Sequence, residues 1–282
     1  MTAVGIVGLG RIGGGVASAL GRAGHELIGY DPLSHVVDDL APIVSPAHSP
    51  ADVAAAADVV LVAVMDDGQV RAILSGPGGI LSARSLPRAV VILSTVTLDT
   101  VRWAAAACGE RRVAAFDCGV SGGTQALEHA QIAAMVGGPA ESLELVLPVL
   151  RGFADPVVYV GPSGTGMSAK LARNLIIYSE WVVAWEATRL ALAAGIELEA
   201  FLTIVRGSER WSRDHLHLVD QRIGLATADG APPPSARATA GYAAKDLRAA
   251  LDLGAELGVD LPASELALQM FPVVAGIDAP AA

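Results

Sequence analysis

The chain has 282 residues, of which 52% are hydrophobic and 17% charged, and its formal net charge is −10. So much apolar material excludes an intrinsically disordered chain, and the acidic balance argues against a broad phosphate-backbone partner such as DNA or RNA. The length alone indicates about two domains.

Cysteine and histidine residues do not form a pattern that indicates disulfides or bound metal. The two cysteines, Cys108 and Cys118, cannot build a disulfide framework, and no Cys/His cluster has the spacing of zinc ligands. The apolar amino terminus lacks the basic segment of a signal peptide, and charged residues interrupt the apolar stretch 175–194. We therefore expect a soluble, cytoplasmic, metal-free protein without a nucleic-acid or membrane partner.

Short apolar strands alternate with helix-length stretches through the first part of the chain. This alternation is typical of a parallel, doubly wound α/β sheet that helices cover on both faces, a Rossmann architecture. A helix is predicted over 13–23, and strands are predicted over 3–8, 25–31, 58–65, 89–95, 111–118, 133–138 and 156–161.

After Gly161 the pattern changes from alternating elements to helix. Residues 167–194 contain no Pro or Gly and have apolar residues at helical spacing, which predicts one long interdomain helix of about 40 Å. The rest of the chain is predicted to be helix or loop. We therefore expect a dinucleotide-binding Rossmann domain over 1–162 and an all-helical substrate and oligomerisation domain over 163–282.

The sequence GLGRIG follows the first predicted strand and opens the first predicted helix. In a GxGxxG motif the first glycine permits a tight turn, the second lets the backbone approach a pyrophosphate, and the third permits close packing of helix on strand. The alternative is a glycine-rich turn of another α/β protein. The order of strand, motif, helix and acid favours a dinucleotide site formed by Gly8, Leu9, Gly10, Arg11, Ile12 and Gly13.

Asp31, at the end of the second predicted strand, is the acid of this motif. A carboxylate there can accept hydrogen bonds from the adenosine ribose hydroxyls, whereas it would repel a 2′-phosphate. The next residues, Pro32 and Leu33, supply no cation. NAD is therefore favoured over NADP as the cofactor.

Two further groups of residues could bind or act on a small substrate. Ser121, Gly122 and Gly123 follow a strand and could present several donors to a carboxylate, although a plain glycine turn would have the same composition. Lys170 and Asn174 are four residues apart and share a face of the long helix. Taken alone, they could equally be ordinary solvated side chains.

Together these motifs resemble the β-hydroxyacid dehydrogenase family, which includes 3-hydroxyisobutyrate dehydrogenase and tartronate semialdehyde reductase. The resemblance covers nearly the whole chain. It rests on GLGRIG, on Ser94-Thr95, on DCGVSGG followed by MVGG, on GTGMSAKLARN, and on the late KDL over 245–247. The resemblance implies a nicotinamide-dependent enzyme in which helices of two subunits pack together, so a homodimer or a higher homo-oligomer is expected.

The resemblance also implies roles for individual residues. Lys170 matches the catalytic lysine of the family, and Asn174 would orient the substrate or that lysine. Ser121, Gly122 and Gly123 match the loop that binds the substrate carboxylate. The expected cofactor contacts beyond the glycine loop and Asp31 are Val64, Met65, Thr95 and Lys245.

Several positions depart from the family pattern. Arg173 replaces an asparagine, and it could contact the substrate or change the pKa of Lys170. Gly119 replaces a proline. An aromatic residue before the late lysine is missing, and the residues that could line the pocket in its place are Trp181, Trp185, Trp211 and Tyr242, although packing in a core is the more common role of such residues.

The expected reaction is reversible hydride transfer between a nicotinamide and a small 3-hydroxy acid. Lys170 would take the hydroxyl proton on oxidation and return it on reduction. Because a free lysine titrates near 10.4, partial burial and the cations Arg173 and Lys245 would have to lower its pKa. Two alternatives remain at this point: an imine reductase of the same architecture, and a nucleotide-binding regulator without catalytic activity.

Overall fold

A computed structural model describes residues 2–212 and 234–275. Within these ranges the chain forms two compact units that divide between Asn174 and Leu175. The first unit contains an eight-stranded sheet, and the described part of the second unit is helical. This is the predicted fold class, an α/β Rossmann sheet followed by helices.

The strands are short, as buried strands of an α/β sheet usually are. In chain order they are β1 (Ala3–Val7), β2 (Glu26–Tyr30), β3 (Ser45–Pro46), β4 (Val59–Val62), β5 (Ala89–Ile92), β6 (Ala114–Ser121), β7 (Ile132–Gly137) and β8 (Ala154–Gly161).

Helices follow most strands of the first unit and make up the described part of the second. They are α1 (Arg11–Arg22), α2 (Ser34–Asp38), α3 (Pro50–Ala56), α4 (Asp67–Ser75), α5 (Leu98–Glu110), α6 (Gly123–Glu128), α7 (Leu147–Arg151), α8 (Thr165–Ala193), α9 (Leu198–Ser212), α10 (Pro234–Leu257) and α11 (Pro262–Val274).

The order of the strands across the sheet is β3-β2-β1-β4-β5-β6-β7-β8. The first six strands in this order run parallel. The carboxyl ends of β1, β2, β4, β5 and β6 therefore lie side by side along the same edge of the sheet, the one at which the strands end. The order reverses between β1 and β4, and such a switch point in a doubly wound sheet is where ligands bind.

The prediction of a parallel sheet is wrong for the last two strands. β7 pairs antiparallel with β6, with Val120 opposite Ala134, and β8 runs parallel to β7. Only the segment 122–131 connects β6 to β7, which is shorter than the dozen or more residues that a parallel crossover needs. β6 also begins three residues later than predicted, because Arg112 adopts a left-handed conformation with φ 59°.

Apolar side chains cover both faces of the sheet. On one face, helices α1, α6 and α7 pack on alternate strand residues, and on the other face helices α3, α4 and α5 do so. Three of these helices begin at a side-chain cap, from Ser49, Asp66 and Thr97 respectively. The core thereby holds the strand ends, and the loops that follow them, in fixed positions.

A buried carboxylate organises the second unit. Glu186 of α8 is 4% exposed and accepts hydrogen bonds from the backbone N–H groups of Ala263 (2.8 Å) and Ser264 (3.1 Å). The Ser264 hydroxyl donates a third bond to it at 2.9 Å. Glu186 therefore satisfies the amino end of α11, which would otherwise leave backbone donors without partners.

α8 differs from the other long helices because its apolar residues are not confined to one face. It spans 29 residues, close to the predicted range 167–194. Leu175, Trp181 and Trp185 are 70%, 62% and 63% exposed, so the expectation that these tryptophans pack in a core of their own chain is wrong. Tyr242 is exposed as well, and the Trp211 side chain lies outside the described residues. No helix in the described ranges is both long enough and apolar enough to span a membrane.

Candidate active site

The glycine loop of GLGRIG connects β1 to α1. Gly8 has φ +89°, a conformation that a residue with a side chain rarely adopts, and a Cβ atom at Gly13 would collide with the Gly8 carbonyl. Gly10 is the N-cap of α1 and contributes no side-chain cap, and a Cβ atom there would meet only open space. The first-turn N–H groups of α1 are therefore accessible to the phosphates of a dinucleotide, which fit this loop.

Asp31 lies directly beside the glycine loop. Its Oδ2 accepts a hydrogen bond from the Leu9 N–H at 2.8 Å, and its Oδ1 accepts one from the Leu33 N–H at 3.0 Å. A carboxylate oxygen can accept more than one hydrogen bond, so both oxygens keep acceptor capacity for ribose hydroxyls. The two backbone bonds hold the carboxylate beside the glycine loop.

The loops after β4 and β5 are fastened to each other at the same edge of the sheet. The Ser94 hydroxyl accepts a hydrogen bond from the Val64 N–H at 2.8 Å. The Asp67 carboxylate accepts bonds from the N–H (2.9 Å) and the hydroxyl (2.6 Å) of Thr97. Hydrogen bonds from the Thr97 and Thr100 hydroxyls and from the Thr97 N–H lower the pKa of Asp67 to about 2.

The Asp67–Thr97 contact was missed by the sequence analysis. Two acids directly after a buried strand, in the segment MDDG, were a signal that could have found it. The contact holds the loops that carry Met65 and Thr95, both of which are exposed at this edge. The structure thus brings the cofactor residues predicted on β1, β2, β4 and β5 to one edge.

β6 carries Asp117, Gly119 and Ser121 at alternate positions, so all three face the same side of the sheet. The Ser121 Oγ atom is buried and has no hydrogen-bond partner among the described residues. Gly122 and Gly123 follow with φ values of +143° and +75°. A buried hydroxyl without a partner is costly unless a ligand satisfies it, so the serine fits a role in binding.

Asp117 joins β6 to the start of α8. It is 1% exposed, and its two oxygens accept hydrogen bonds from the N–H groups of Gly164 and Met167, each at 2.7 Å. Burial raises its pKa, while the backbone donors oppose that shift. Asp117 was not among the predicted site residues, although its place in an apolar strand was a signal, because a buried acid must have a partner.

Lys170 lies one turn further along α8, where the helix packs closely on the sheet. A Cβ atom at Gly166 would collide with the Asp117 carbonyl, and one at Gly119 would collide with the Cβ of Lys170. Because Gly119 has no side chain, the stem of Lys170 lies directly on β6, two residues from Ser121. The strand thus places the predicted base close to the predicted carboxylate-binding loop.

The half-buried position of Lys170 lowers its pKa, and the positive charge of Arg173 lowers it further. Partial burial and Arg173 were both predicted as causes of this shift, whereas Lys245, the third predicted cause, does not contribute to it. Asn174 follows one turn after Lys170 and is the last residue of the first unit. Lys245 belongs to the second unit, where it is exposed and pairs with Asp246 at 3.2 Å.

Two family models match successive parts of the chain. Residues 3–161 match the NAD-binding domain of 6-phosphogluconate dehydrogenase. Residues 164–279 match the NAD-binding region of NADP-dependent 3-hydroxyisobutyrate dehydrogenase.

Three relatives are similar over nearly their full length. An oxidoreductase of Mycobacterium tuberculosis is 31% identical, over 98% of this chain and 94% of the relative. The 2-(hydroxymethyl)glutarate dehydrogenase of Eubacterium barkeri is 28% identical, over 95% and 87%. The NAD-dependent L-serine dehydrogenase of Pseudomonas aeruginosa is 30% identical, over 96% and 91%.

Solved structures share the architecture. An oxidoreductase from Mycobacterium avium is 29% identical with a TM-score of 0.85, covering 98% of this chain and 99% of that one. An imine reductase from Pseudomonas sp. is 17% identical with a TM-score of 0.80, covering 98% and 95%, and this likeness concerns the fold alone.

The fold, the glycine loop and the similarity to known dehydrogenases define a nicotinamide-dependent oxidoreductase. Within that class, the chain belongs to the β-hydroxyacid dehydrogenase family.

Proposed function

We propose that this chain is an NAD-dependent dehydrogenase of small 3-hydroxy acids, or a reductase of the corresponding semialdehydes, with Lys170 as the general acid and base. The observation that carries the proposal is the position of Lys170. It lies half-buried on Gly119 of the strand that leads to Ser121, and the Ser121 hydroxyl is buried without a partner among the described residues.

The substrate carboxylate would bind at the end of β6. The Ser121 hydroxyl and the N–H groups of Gly122 and Gly123 would donate to it, which would satisfy the buried Oγ atom. Because the Lys170 stem lies on Gly119, two residues earlier, this binding mode brings the β-hydroxyl of the substrate close to the amine. Asn174, four residues after Lys170, would hydrogen-bond the substrate or the amine and orient it.

Lys170 would carry the proton. In the oxidative direction its neutral amine accepts the proton of the substrate hydroxyl, and in the reductive direction its ammonium returns it. The lowered pKa makes the neutral amine available at a lower pH than in a free lysine. Bound nicotinamide dinucleotide supplies the hydride acceptor or donor, and the protein supplies orientation and proton transfer.

NAD is the preferred cofactor in this proposal. The pyrophosphate would lie on the glycine loop, with the adenosine ribose on Asp31, whose carboxylate would repel a 2′-phosphate. Val64, Met65 and Thr95, on loops that Ser94 and Asp67 hold together, would contact the nicotinamide half. Lys245 would reach the cofactor from the helical region.

The two parts of the chain would have different functions. Residues 1–162 would form the dinucleotide-binding domain, and residues 163–282 would contribute substrate contacts and the surface for a homodimer. The exposed apolar residues of α8 support this assignment, because large exposed apolar patches usually mark a protein interface.

The test is turnover of 3-hydroxy acids with NAD, followed by nicotinamide absorbance, in wild type, Lys170→Ala and Lys170→Arg. We expect a loss of about 100-fold or more in kcat for Lys170→Ala, because general acid–base catalysis typically contributes that much. Wild-type kcat for oxidation should rise with pH through the lowered pKa of Lys170, and kcat for reduction should fall over the same range.

Full activity of Lys170→Ala would contradict the proposed base. Turnover of cyclic imines but of no hydroxy acid would favour the imine reductase alternative, which so far rests on the fold alone. Binding of NADH without turnover of either class would favour a non-catalytic regulator.

A further inference from the structure

Two cations follow each other on one face of α8, although the chain as a whole is acidic. Arg173 is three residues after Lys170, and side chains at that spacing lie about 5–6 Å apart at their Cβ atoms. The Arg173 charge acts on Lys170 strongly enough to lower its pKa. The two groups are therefore neighbours in the first unit, on the helix that carries the predicted base.

No carboxylate of the described residues neutralises Arg173. Its side chain is exposed and makes no ion pair or hydrogen bond within the ranges that the structure describes. Arg102, another exposed arginine, pairs with Asp99 at 3.0 Å, whereas the charged neighbour of Arg173 is the like-charged Lys170. Like charges at this spacing repel each other, so the arrangement is destabilising unless an anion binds between or beside them.

The single carboxylate of a simple hydroxy acid would not be the anion that binds Arg173. In the proposed function that carboxylate binds Ser121, Gly122 and Gly123, and the hydroxyl faces Lys170. Arg173 lies nearly one turn further along α8, so a substituent of the substrate that extended in that direction would meet it. An arginine fork suits a carboxylate or a phosphate at that position, because it can donate two parallel hydrogen bonds.

We propose that Arg173 selects substrates with a second anionic group, so that the preferred substrate is a dianionic 3-hydroxy acid. This inference rests on the proposed function, because it takes Lys170 and the Ser121 loop as the centre of the substrate site. It narrows the substrate class, and it assigns Arg173 a direct contact with the substrate in addition to its effect on Lys170.

The test uses two pairs of compounds that differ in the second anion. 2-(Hydroxymethyl)glutarate and 3-hydroxyisobutyrate share the HOCH2–CH–COO− core and differ by a carboxyethyl group in place of a methyl group. Threonate 4-phosphate and threonate differ by one phosphate. The glutarate and the phosphate ester each carry two anionic groups and are the dianionic members of the two pairs, although the phosphate itself adds up to two negative charges. 2-(Hydroxymethyl)pentanoate keeps the core carboxylate and has an uncharged propyl group in place of the carboxyethyl group. It therefore separates the effect of the second charge from that of size.

Wild type should prefer the dianionic member of at least one pair by about 10- to 100-fold in kcat/KM, the range expected for hydrogen bonds to a charged group. Preference for the glutarate indicates a carboxylate partner, and preference for the phosphate ester indicates a phosphate partner. In Arg173→Gln the ratio of the two kcat/KM values should fall towards one, mainly through KM. Because the ratio compares two substrates of one enzyme, any change in the pKa of Lys170 cancels.

Arg84→Gln is the matched control, since Arg84 is an exposed arginine of the first unit and its replacement changes the net charge equally. We expect it to keep the wild-type ratio. Arg173→Lys should keep part of the preference, because a lysine retains the charge but not the planar fork.

Calorimetric titration of the same compounds into the NADH-bound protein gives a readout that needs no turnover. Tighter binding of a dianion than of its monoanion, lost in Arg173→Gln, supports the inference even if Lys170 is not the base. Equal kcat/KM and equal affinity for both members of both pairs would overturn it while leaving the proposed function intact. A dianion preference that persists in Arg173→Gln would overturn it as well.

Discussion

Asp31 combines two tasks in one carboxylate. It fastens the glycine loop through the Leu9 N–H, and it would bind the ribose of the cofactor. An amide at this position would keep the shape and one acceptor oxygen but lose the negative charge. The residue therefore offers a direct test of the proposed cofactor preference.

In Asp31→Asn we expect kcat/KM with NAD to fall about tenfold, which corresponds to the loss of roughly one hydrogen bond to a charged group. The ratio of activity with NADP to activity with NAD should rise, because the charge that repels a 2′-phosphate is gone. Steady-state kinetics with both cofactors measure the ratio. Asp38→Asn, an equal change of charge at an exposed residue of α2, should leave it unchanged; an equal shift in both variants would contradict the role of Asp31.

Asp67 makes a pH-dependent contribution to stability. Its pKa is about 2 in the folded protein, below the ordinary value of 3.8, so its contribution is complete above about pH 4 and is lost as pH falls towards 2. Asp67→Asn should therefore unfold more easily than wild type at pH 7, by about 1 kcal/mol. Urea unfolding between pH 7 and pH 3 should show the difference shrinking. A constant difference would mean that the charge of Asp67 is not involved.

At the level of elements, the start of α8 depends on Asp117. Asp117→Asn keeps only one acceptor oxygen for the two N–H groups of Gly164 and Met167, so one amide loses its partner. We expect a loss of about 1–3 kcal/mol in the free energy of unfolding. We also expect a lower kcat at unchanged NADH affinity, since Lys170 follows on the same helix.

Glu186→Gln provides the matched control, because Glu186 is also a buried carboxylate that caps a helix start, but on α11. It should lose comparable stability with little change in kcat. Hydrogen exchange should increase at the first turn of α8 in the Asp117 variant and at the first turn of α11 in the Glu186 variant. If both variants lost activity equally, Asp117 would have no special link to Lys170.

The sequence predicted those elements that have a strong local signal. α8 and the strands β1, β2, β4 and β5 stood out because their apolar residues are continuous or recur at a clear period. The reversal of β7 did not, because strand direction depends on the length of the connection and leaves no mark in the strand itself. Likewise, Ser121 and Lys170 could be named from their motifs, but their closeness could not. It depends on Gly119, because any side chain at that position would collide with Lys170.

At the scale of the whole molecule, α8 is notable for its large exposed apolar side chains. Leu175, Trp181 and Trp185 are each more than half exposed. Contiguous exposed apolar patches usually mark a protein interface. A second copy of the chain is the partner expected from the proposed function.

We therefore predict that wild type is a homodimer or a higher homo-oligomer at micromolar concentration and that Trp181→Glu dissociates it. Light scattering coupled to size-exclusion chromatography measures the mass directly. Ile43→Glu, which places a charge at a partly exposed apolar residue of the first unit, should keep the wild-type mass. A monomeric wild type would contradict the proposed role of α8.

Because the amino end of α1 has no side-chain cap, the stability of the fold should depend on the concentration of its cofactor. Gly10 supplies no side chain to the first-turn amides, so their most favourable partners are the phosphates of a dinucleotide. A ligand that binds only the native state adds about 2.7 kcal/mol of stability at a free concentration 100 times its Kd. When the total concentration of nicotinamide dinucleotide falls, the empty form should open and be degraded faster, so the amount of enzyme in a cell would follow the concentration of the cofactor that it uses.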